Sequence, residues 1–495
     1  MMRLLPGFAR PAFTGPVLAA SGLALLLAGC TVGPNYHRPS VPDAPAWKEN
    51  AVPPPNPPNG TWVHAEPSDQ VLRGEWWEMY GDPQLNALED KIAVSNQTLR
   101  AAMDQYLQVR EQLQVARSQY YPTLAAGPSI ERTRESLNQP NTVKSVTKYQ
   151  YTTFSLAGQA QWQPDFWGQV RRTVEQARAG AQASAAQLAN VELSLRAELA
   201  TDYFELRGLD LQKQLLDNTV VSYEEYLKLT QIRFRGGVAT EADVAEAQTQ
   251  LEQTRAQDID VGVARAQYEH AIATLIGVPA STFTLPPLPL AGQVPQIPVG
   301  MPSQLLERRP DIASAERQVD AANAQIGIAI SAYYPNISLT GTGGMLSGQP
   351  GTWIQGPSEM WSLGGSAIEL LFDAGRRHAL TRQARDAYDM QVANYRQSVL
   401  NAFQEVEDNL AALRILDQES GVQQAAVDAA RRSLQISTSR YKGGVTTYLE
   451  VLTAQTVQLS NQRTQADIES RQFVASVQLI LALGGGWDTS QLPKL

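Results

Sequence analysis

Two hydrophobic periods divide the chain. Leu85, Leu88, Ile92, Leu99 and Met103 recur at helical steps, which predicts a helix from about Gln84 to Ser118, stopped by Tyr121-Pro122. Beyond that stop the period falls to two. Phe154, Leu156, Ala160 and Trp162 alternate with Ser155, Gln159 and Gln161, and an earlier partner runs through Leu124, Ala126, Pro128 and Ile130. Each predicted strand therefore carries one apolar and one polar row. A polar loop from about Arg134 to Gln150 joins them. At Pro164-Asp165-Phe166-Trp167-Gly168 the helical period returns, and Gln169 to Arg235 holds almost no breaker beyond Gly180 and Gly208. At 1.5 Å rise per residue that is about 100 Å of helix. Its seam, Ala181, Ala185, Leu188, Leu195, Leu199 and Leu206, is spaced as in a coiled coil. A return helix carries Val244, Leu251, Ala264 and Ile272 to Gly277, where Val278-Pro279 ends it.

After a proline-rich connector the order repeats. A helix opens at Arg309-Pro310-Asp311 and ends at Tyr333-Tyr334-Pro335, strands are expected in Asn336 to Met345 and Trp361 to Leu371, and a second long helix runs from about Arg376 to Lys442. Gly168, Gly237 and Gly277 recur as Gly375, Gly444 and Gly484 at one offset of about 207 positions. The Tyr-Pro pair is displaced by about six more, so the length change lies inside the strand hairpin, where a surface loop tolerates it. The turn between the long helices is also written twice, as Arg233 to Asp243 and as Arg440 to Glu450. In each copy paired glycines close one helix, and Thr240 with Asp243, or Thr447 with Glu450, is placed to cap the next.

The two strand runs fit either a solvent-facing antiparallel hairpin or transmembrane barrel strands, and composition does not separate them. If they cross a membrane, four strands leave two open edges that lipid does not tolerate, so the chain must then oligomerise. The ends of the sequence add an address. Arg3 and Arg10, an apolar run from Val17 to Ala28 and Leu27-Ala28-Gly29-Cys30 form a targeting segment, too short to span a bilayer permanently. Cys30 is the single cysteine, which rules out an intramolecular disulfide. From Thr31 to about Pro67 prolines keep the chain extended, as a tether or strap. The expected organisation is a leader at 1–29, an extended segment at 30–83 and a first repeat at 84–278, with strand hairpin 123–164 and tip 235–240. A connector at 279–302 leads to a second repeat at 303–484, with strand hairpin 336–371 and tip 442–447, and a tail at 485–495. A net charge of −9 argues against nucleic acid as a partner.

Several strings now point to one family: Leu306-Glu307-Arg308-Arg309-Pro310-Asp311-Ile312, Ala321-Ala322-Asn323-Ala324-Gln325-Ile326-Gly327, Pro164 to Gly168, and Arg440 to Val445 with Tyr448-Leu449-Glu450-Val451-Leu452. Together they resemble the outer-membrane factors of tripartite efflux systems, TolC-like and in the NodT-type lipoprotein branch. Leu27 to Cys30 is similar to the bacterial lipobox, which implies lipidation of Cys30, and Thr31 in place of an aspartate implies the outer membrane. The resemblance implies a mainly α protein with a transmembrane β-barrel contribution. In it a homotrimer shares a twelve-stranded barrel, four strands per protomer, set in outer-membrane lipid and continued by a long periplasmic α-helical barrel. It also implies a periplasmic adaptor (membrane fusion) protein and an inner-membrane pump as partners.

Carried over position by position, the tip residues that narrow the duct and dock the adaptor are Arg235, Gly236, Gly237, Val238, Ala239 and Thr240, with Lys442, Gly443, Gly444, Val445, Thr446 and Thr447. Some relatives carry an aspartate where Thr446 stands. Arg233, Asp243, Arg440 and Glu450 are the candidate gate charges, although Asp243 and Glu450 also have a sufficient reason to be there as helix-capping acids. Catalysis finds no support in the sequence. His37, His64, His270 and His378 have no partner at metal-ligand spacing, and Gly341 to Gly344 is followed by no phosphate-loop lysine. No catalytic residue, metal or cofactor is expected. The expected function is a passive exit duct for solutes delivered by the pump and adaptor, with a diffusive porin and a periplasmic coiled-coil scaffold lipoprotein as alternatives.

Overall fold

A computed structural model of the chain describes residues 31–42, 44–49, 74–136, 150–300 and 302–495. The leader, the expected lipidation site Cys30 and most of the loop between Arg134 and Gln150 lie outside the described residues. In chain order the elements are α1 (Pro83–Ser95), α2 (Gln97–Ser118), β1 (Thr123–Arg134), β2 (Gln150–Trp162), α3 (Gln169–Arg235) and α4 (Glu241–Leu275). They continue with α5 (Pro310–Ser331), β3 (Asn336–Ser347), β4 (Glu359–Ile368), α6 (Arg376–Lys442) and α7 (Tyr448–Ala482). The long helices α3 and α6 are 67 residues each, and the return helices α4 and α7 are 35 each. All six offset-related glycines have φ between 70° and 91°, the left-handed region that a side chain disfavours.

Three expectations are corrected. The helix expected from Gln84 to Ser118 is two helices, because Asn96 takes an extended backbone (ψ 121°) between them. Its Oδ1 accepts from the Leu99 N–H at 2.8 Å, capping α2, while its Nδ2 donates to the Leu275 carbonyl at 2.7 Å. The apolar seam is interrupted after the break: Leu85, Leu88 and Ile92 are buried, Met103 is exposed, and burial resumes at Leu113 and Ala116. The strand expected from Trp361 to Leu371 runs from Glu359 to Ile368, and Leu371 is 90% exposed. Finally, the seam of α3 is wider than a coiled-coil stripe. Ala181, Leu195, Leu199 and Leu206 are buried as expected, but so are Ala179, Ala183, Ala186, Leu193, Ala197, Tyr203 and Phe204. Small side chains there let neighbours pack on several sides of the helix.

The chain forms two compact units. The first comprises described residues 31–39, 108–181 and 317–393 and holds the four strands with the helix segments adjoining them. The start of the extended segment is strapped down in it: the Val32 N–H donates to the Trp167 carbonyl at 3.1 Å, and Arg172 donates to the carbonyls of Val32 and Gly33 and to Asn35 Oδ1. Gly33 (φ 91°) crosses α5 so closely that a Cβ on it would sit 2.5 Å from the Gly327 Cα. A larger residue at Gly33 would push the strap off α5, and one at Gly327 would press on the Arg172 side chain that holds it.

The second unit comprises residues 40–107, 182–316 and 394–495. Tyr80, Phe204 and Phe473 pack ring to ring at 4.7 to 6.2 Å. The connector is fixed by a buried charge cluster: Asp210 receives Arg207 at 2.9 Å, Arg265 at 2.7 Å and the Leu288 N–H at 2.9 Å, and Glu269 receives the Leu285 N–H at 2.6 Å. Both carboxylates there are paired, and Arg207 also donates to the Pro286 carbonyl and to Gln84 Oε1, which offsets the cost of burying the charges although its Nε has no partner. Arg309, from the string that carried the resemblance, bonds Asp311, Glu405 and the Ala482 carbonyl, joining α5 to α6 and to the end of α7.

Glu89 on α1 is the exception. It is fully buried, neither carboxyl oxygen has a hydrogen-bond partner, and the Arg196 guanidinium stands 3.6 Å away, stacked on Trp77. Burial pushes its pKa from 4.5 up to about 8, against the pull of Arg196 and with a smaller push from Asp90. A pKa raised on folding contributes stability that is full at acid pH and lost as pH rises through 8. Thermal stability between about pH 5 and 9 is therefore expected to fall in the wild type, by up to about 1.4 kcal/mol per pH unit, and to fall less in Glu89→Gln. Parallel pH profiles for the two proteins would contradict this account of Glu89.

Candidate functional site: an amphipathic sheet and two glycine tips

The strands form one antiparallel sheet in the order β1-β2-β3-β4, so β1 and β4 each have a free edge. Its register carries the alternation across all four strands. Leu124 lies opposite Ala160, Pro128 opposite Leu156 and Ile130 opposite Phe154. Leu156 then faces Met345 and Trp162 faces Leu339, and Gly341 and Gly343 face Leu363 and Trp361. One face is thus largely apolar, with Ser347 opposite Phe154 and Glu359 opposite Met345 at its far end. The opposite face pairs Ser129 with Ser155, Gln159 with Thr342, Gln161 with Thr340, and Thr342 with Ser362. Leu346, opposite Ser155, interrupts this polar row.

The apolar face is uncovered within the chain. Leu124, Ile130, Trp361 and Leu363 are 67 to 81% exposed, whereas a soluble monomer rarely leaves a large contiguous apolar patch open. Strands of 10 to 13 residues match the 9–11 that a tilted strand needs to cross the hydrocarbon. Tyr120 and Tyr121 precede β1, Trp162 ends β2, Tyr333 and Tyr334 precede β3, and Phe372 follows β4, so antiparallel pairing collects these aromatics at one end of the sheet. Trp162 Nε1 donates to the Tyr120 carbonyl at 3.0 Å, giving its ring a polar anchor, as in the aromatic girdles of membrane barrels.

The two tips close alike. Gly236, Gly237 and Val238 donate to the carbonyls of Ile232, Phe234 and Arg233, and Gly443, Gly444 and Val445 donate to those of Ser439, Tyr441 and Arg440. Gly237 and Gly444 both sit at φ 74°, as a left-handed helix end requires. Arg235 to Val238 and Lys442 to Val445 are exposed, Ala239 and Thr446 half-buried, and Thr240 and Thr447 exposed.

The gate candidates separate. Thr240 and Asp243 form the expected capping box. The second box is absent: Thr447 makes no side-chain cap, and Glu450 instead faces Arg440 at 3.6 Å. Asp243 is thus engaged at its helix start while Glu450 is left to pair. Arg233 lies over the Tyr441 ring at 4.5 Å and donates to the Lys442 carbonyl at 3.3 Å, linking one hairpin tip to the other. Beneath it Tyr441, Tyr448, Val451 and Ala247 form a buried cluster. The tyrosines were not singled out from sequence; the signal available was an aromatic on each side of the second glycine pair. The first tip has only Phe234, which is 45% exposed. Among the described residues no helix is long and apolar enough to cross a membrane.

A family model described as outer membrane efflux protein matches residues 88–278 and 301–485. The chain belongs to the outer membrane efflux protein family. It is 31% identical over 477 residues to the toluene efflux pump outer membrane protein TtgC of Pseudomonas putida, covering 96% of each chain. It is 31% identical over 485 residues to outer membrane protein OprJ of Pseudomonas aeruginosa, covering 97% of each. Among solved structures it is similar to the outer-membrane channel OprN, with a TM-score of 0.83 at 29% identity, over 92% of this chain and 100% of that one. The resemblance read from sequence is borne out: the chain works in efflux at the outer membrane, and its relatives are channels rather than enzymes.

If the apolar face meets lipid, Leu156→Arg at mid-strand is expected to cost about 2–4 kcal/mol and Gln159→Arg close to nothing. The check is the fraction of folded, membrane-inserted protein. Equal losses at both positions would contradict the assignment of faces.

Proposed function

We propose that the chain is one protomer of a trimeric exit duct in which three copies of the sheet close a twelve-stranded barrel and the long helices line a periplasmic conduit. The observation that carries this reading is the sheet, with one exposed apolar face, one polar face and two unpaired edges. Lipid covers the apolar face, neighbouring copies pair the edges, and the polar row of Ser155, Gln159 and Gln161 faces water in the lumen. The equal lengths of the long helices and the common glycine offset support two copies of one structural unit. A lipid on Cys30 adds a second attachment. A periplasmic scaffold would use the helices and leave the apolar sheet face without a purpose, and a diffusive porin would need no helix of about 100 Å.

In this reading the duct is passive and carries no catalytic residue, and an inner-membrane pump supplies solutes through a periplasmic adaptor. The adaptor meets residues 235–240 and 442–447, where Val238 and Val445 are 67% and 70% exposed. Arg440 with Glu450, and Arg233 over Tyr441, hold the tips in the arrangement described, while Asp243 serves its helix cap. The hydrophobic solvent named for TtgC makes a small organic molecule the first cargo to test.

The experiment pairs conductance of the purified protein in planar bilayers with export by cells that carry the pump and adaptor. The wild type is expected to support both. Val238→Asp with Val445→Asp is expected to keep conductance and lose export. A wild type without conductance would overturn the duct, and export by the double variant would overturn docking at the tips.

A further inference from the structure

Between α3 and α7, below the tips, lies a cavity of about 250 Å³. Asn218, Thr219, Ser222 and Tyr223 line it from α3, and Gln455, Gln458 and Gln462 from α7. The spacing of the glutamines places them on one helical face, at positions where Val451 and Leu459 continue an apolar seam. Two dry contacts adjoin the gap, the second sharing Leu459 with its lining. On one side stands the cluster of Tyr441, Tyr448 and Val451, and on the other the cluster of Leu216, Val261 and Leu459.

Three polar atoms at this gap are buried and form no hydrogen bond of good geometry among the described residues: Gln455 Nε2, Gln458 Oε1 and the Tyr223 hydroxyl, for which Gln250 of α4 is the side chain at hand. Tyr223 and Gln455 are 5% and 1% exposed. Left dry, each such group costs about 1–3 kcal/mol, and a seam position that kept three of them would be hard to reconcile with a stable hairpin pair. The lining offers both donors and acceptors and contains no carboxylate, ammonium or guanidinium group. It is therefore matched to a neutral ligand that both donates and accepts rather than to an ion. The space is polar and well above what a single water needs.

We propose that this cavity is a hydration site, a cluster of bound waters that bridges Tyr223 on α3 to Gln455 and Gln458 on α7. The two hairpins are then joined by direct contacts on either side of the gap and by exchangeable water across it. Replacing two or three side-chain contacts with water removes apolar burial locally, so the 455–462 segment of α7 is the least protected part of its central region.

Two measurements on the intact protein in lipid test this. A map at about 2 Å resolution is expected to show density within about 3 Å of Gln455 Nε2, Gln458 Oε1 and the Tyr223 hydroxyl. Hydrogen–deuterium exchange is expected to show amides at 455–462 exchanging about tenfold faster than those at 466–480. An empty gap, or glutamine amides turned to bond directly across it, would overturn the site. Uniform protection along α7 would overturn the water-joined contact. Tyr223→Phe separates the remaining case: a thermal midpoint lowered by about 3 °C or more would mean the hydroxyl has a direct protein partner.

Discussion

A backbone N–H or carbonyl placed in hydrocarbon without a partner costs several kcal/mol, and a strand edge presents a whole row of them. The sheet in this chain has two such edges and one uncovered apolar face, so nothing within the chain completes it. Either the sheet stays out of lipid and leaves Trp361 and Leu363 in water, or other copies close it. Family membership places the protein at the outer membrane, and closure of the two edges by further copies is the arrangement we propose for it.

The same logic of completing what the chain leaves open runs through the helices. Two helices of 67 residues outrun any one buried cluster, and the alanines buried along α3 admit close neighbours but each contributes little burial. What fixes them is a set of discrete clamps. Arg172 holds the strap, Asp210 and Glu269 hold the connector, and Arg309 ties α5 to α6 and α7. Between the clamps lie weaker stretches, such as the polar faces of α3 and α7 around Gln455. A conduit built this way combines rigid joints with segments that yield.

Much of the fold was legible because its signals are local and periodic. The switch from a period of 3.6 to 2 at Tyr121-Pro122 located the first strand, and the paired glycines located both tips. What the sequence hid depends on tertiary partners. The break at Asn96 is stabilised by the Leu275 carbonyl, which no reading of residues 84–118 contains. Glu450 has the spacing of a capping acid, yet Arg440 on the preceding helix takes it. The clamps were equally invisible, since Arg207, Asp210 and Arg265 look like ordinary helix charges until the connector is laid across them. Of the tip, the backbone turn could be read, whereas the Arg233 stack on Tyr441 bridges positions about 208 apart and could not.

The central claim is that the sheet is completed by other copies inside a membrane, and the mass and projected shape of the protein extracted in detergent test it most directly. The account predicts a trimer, cylindrical and much longer than a bilayer is thick, that leaves membranes only with detergent. A monomer, or a protein released by salt or high pH alone, would contradict it.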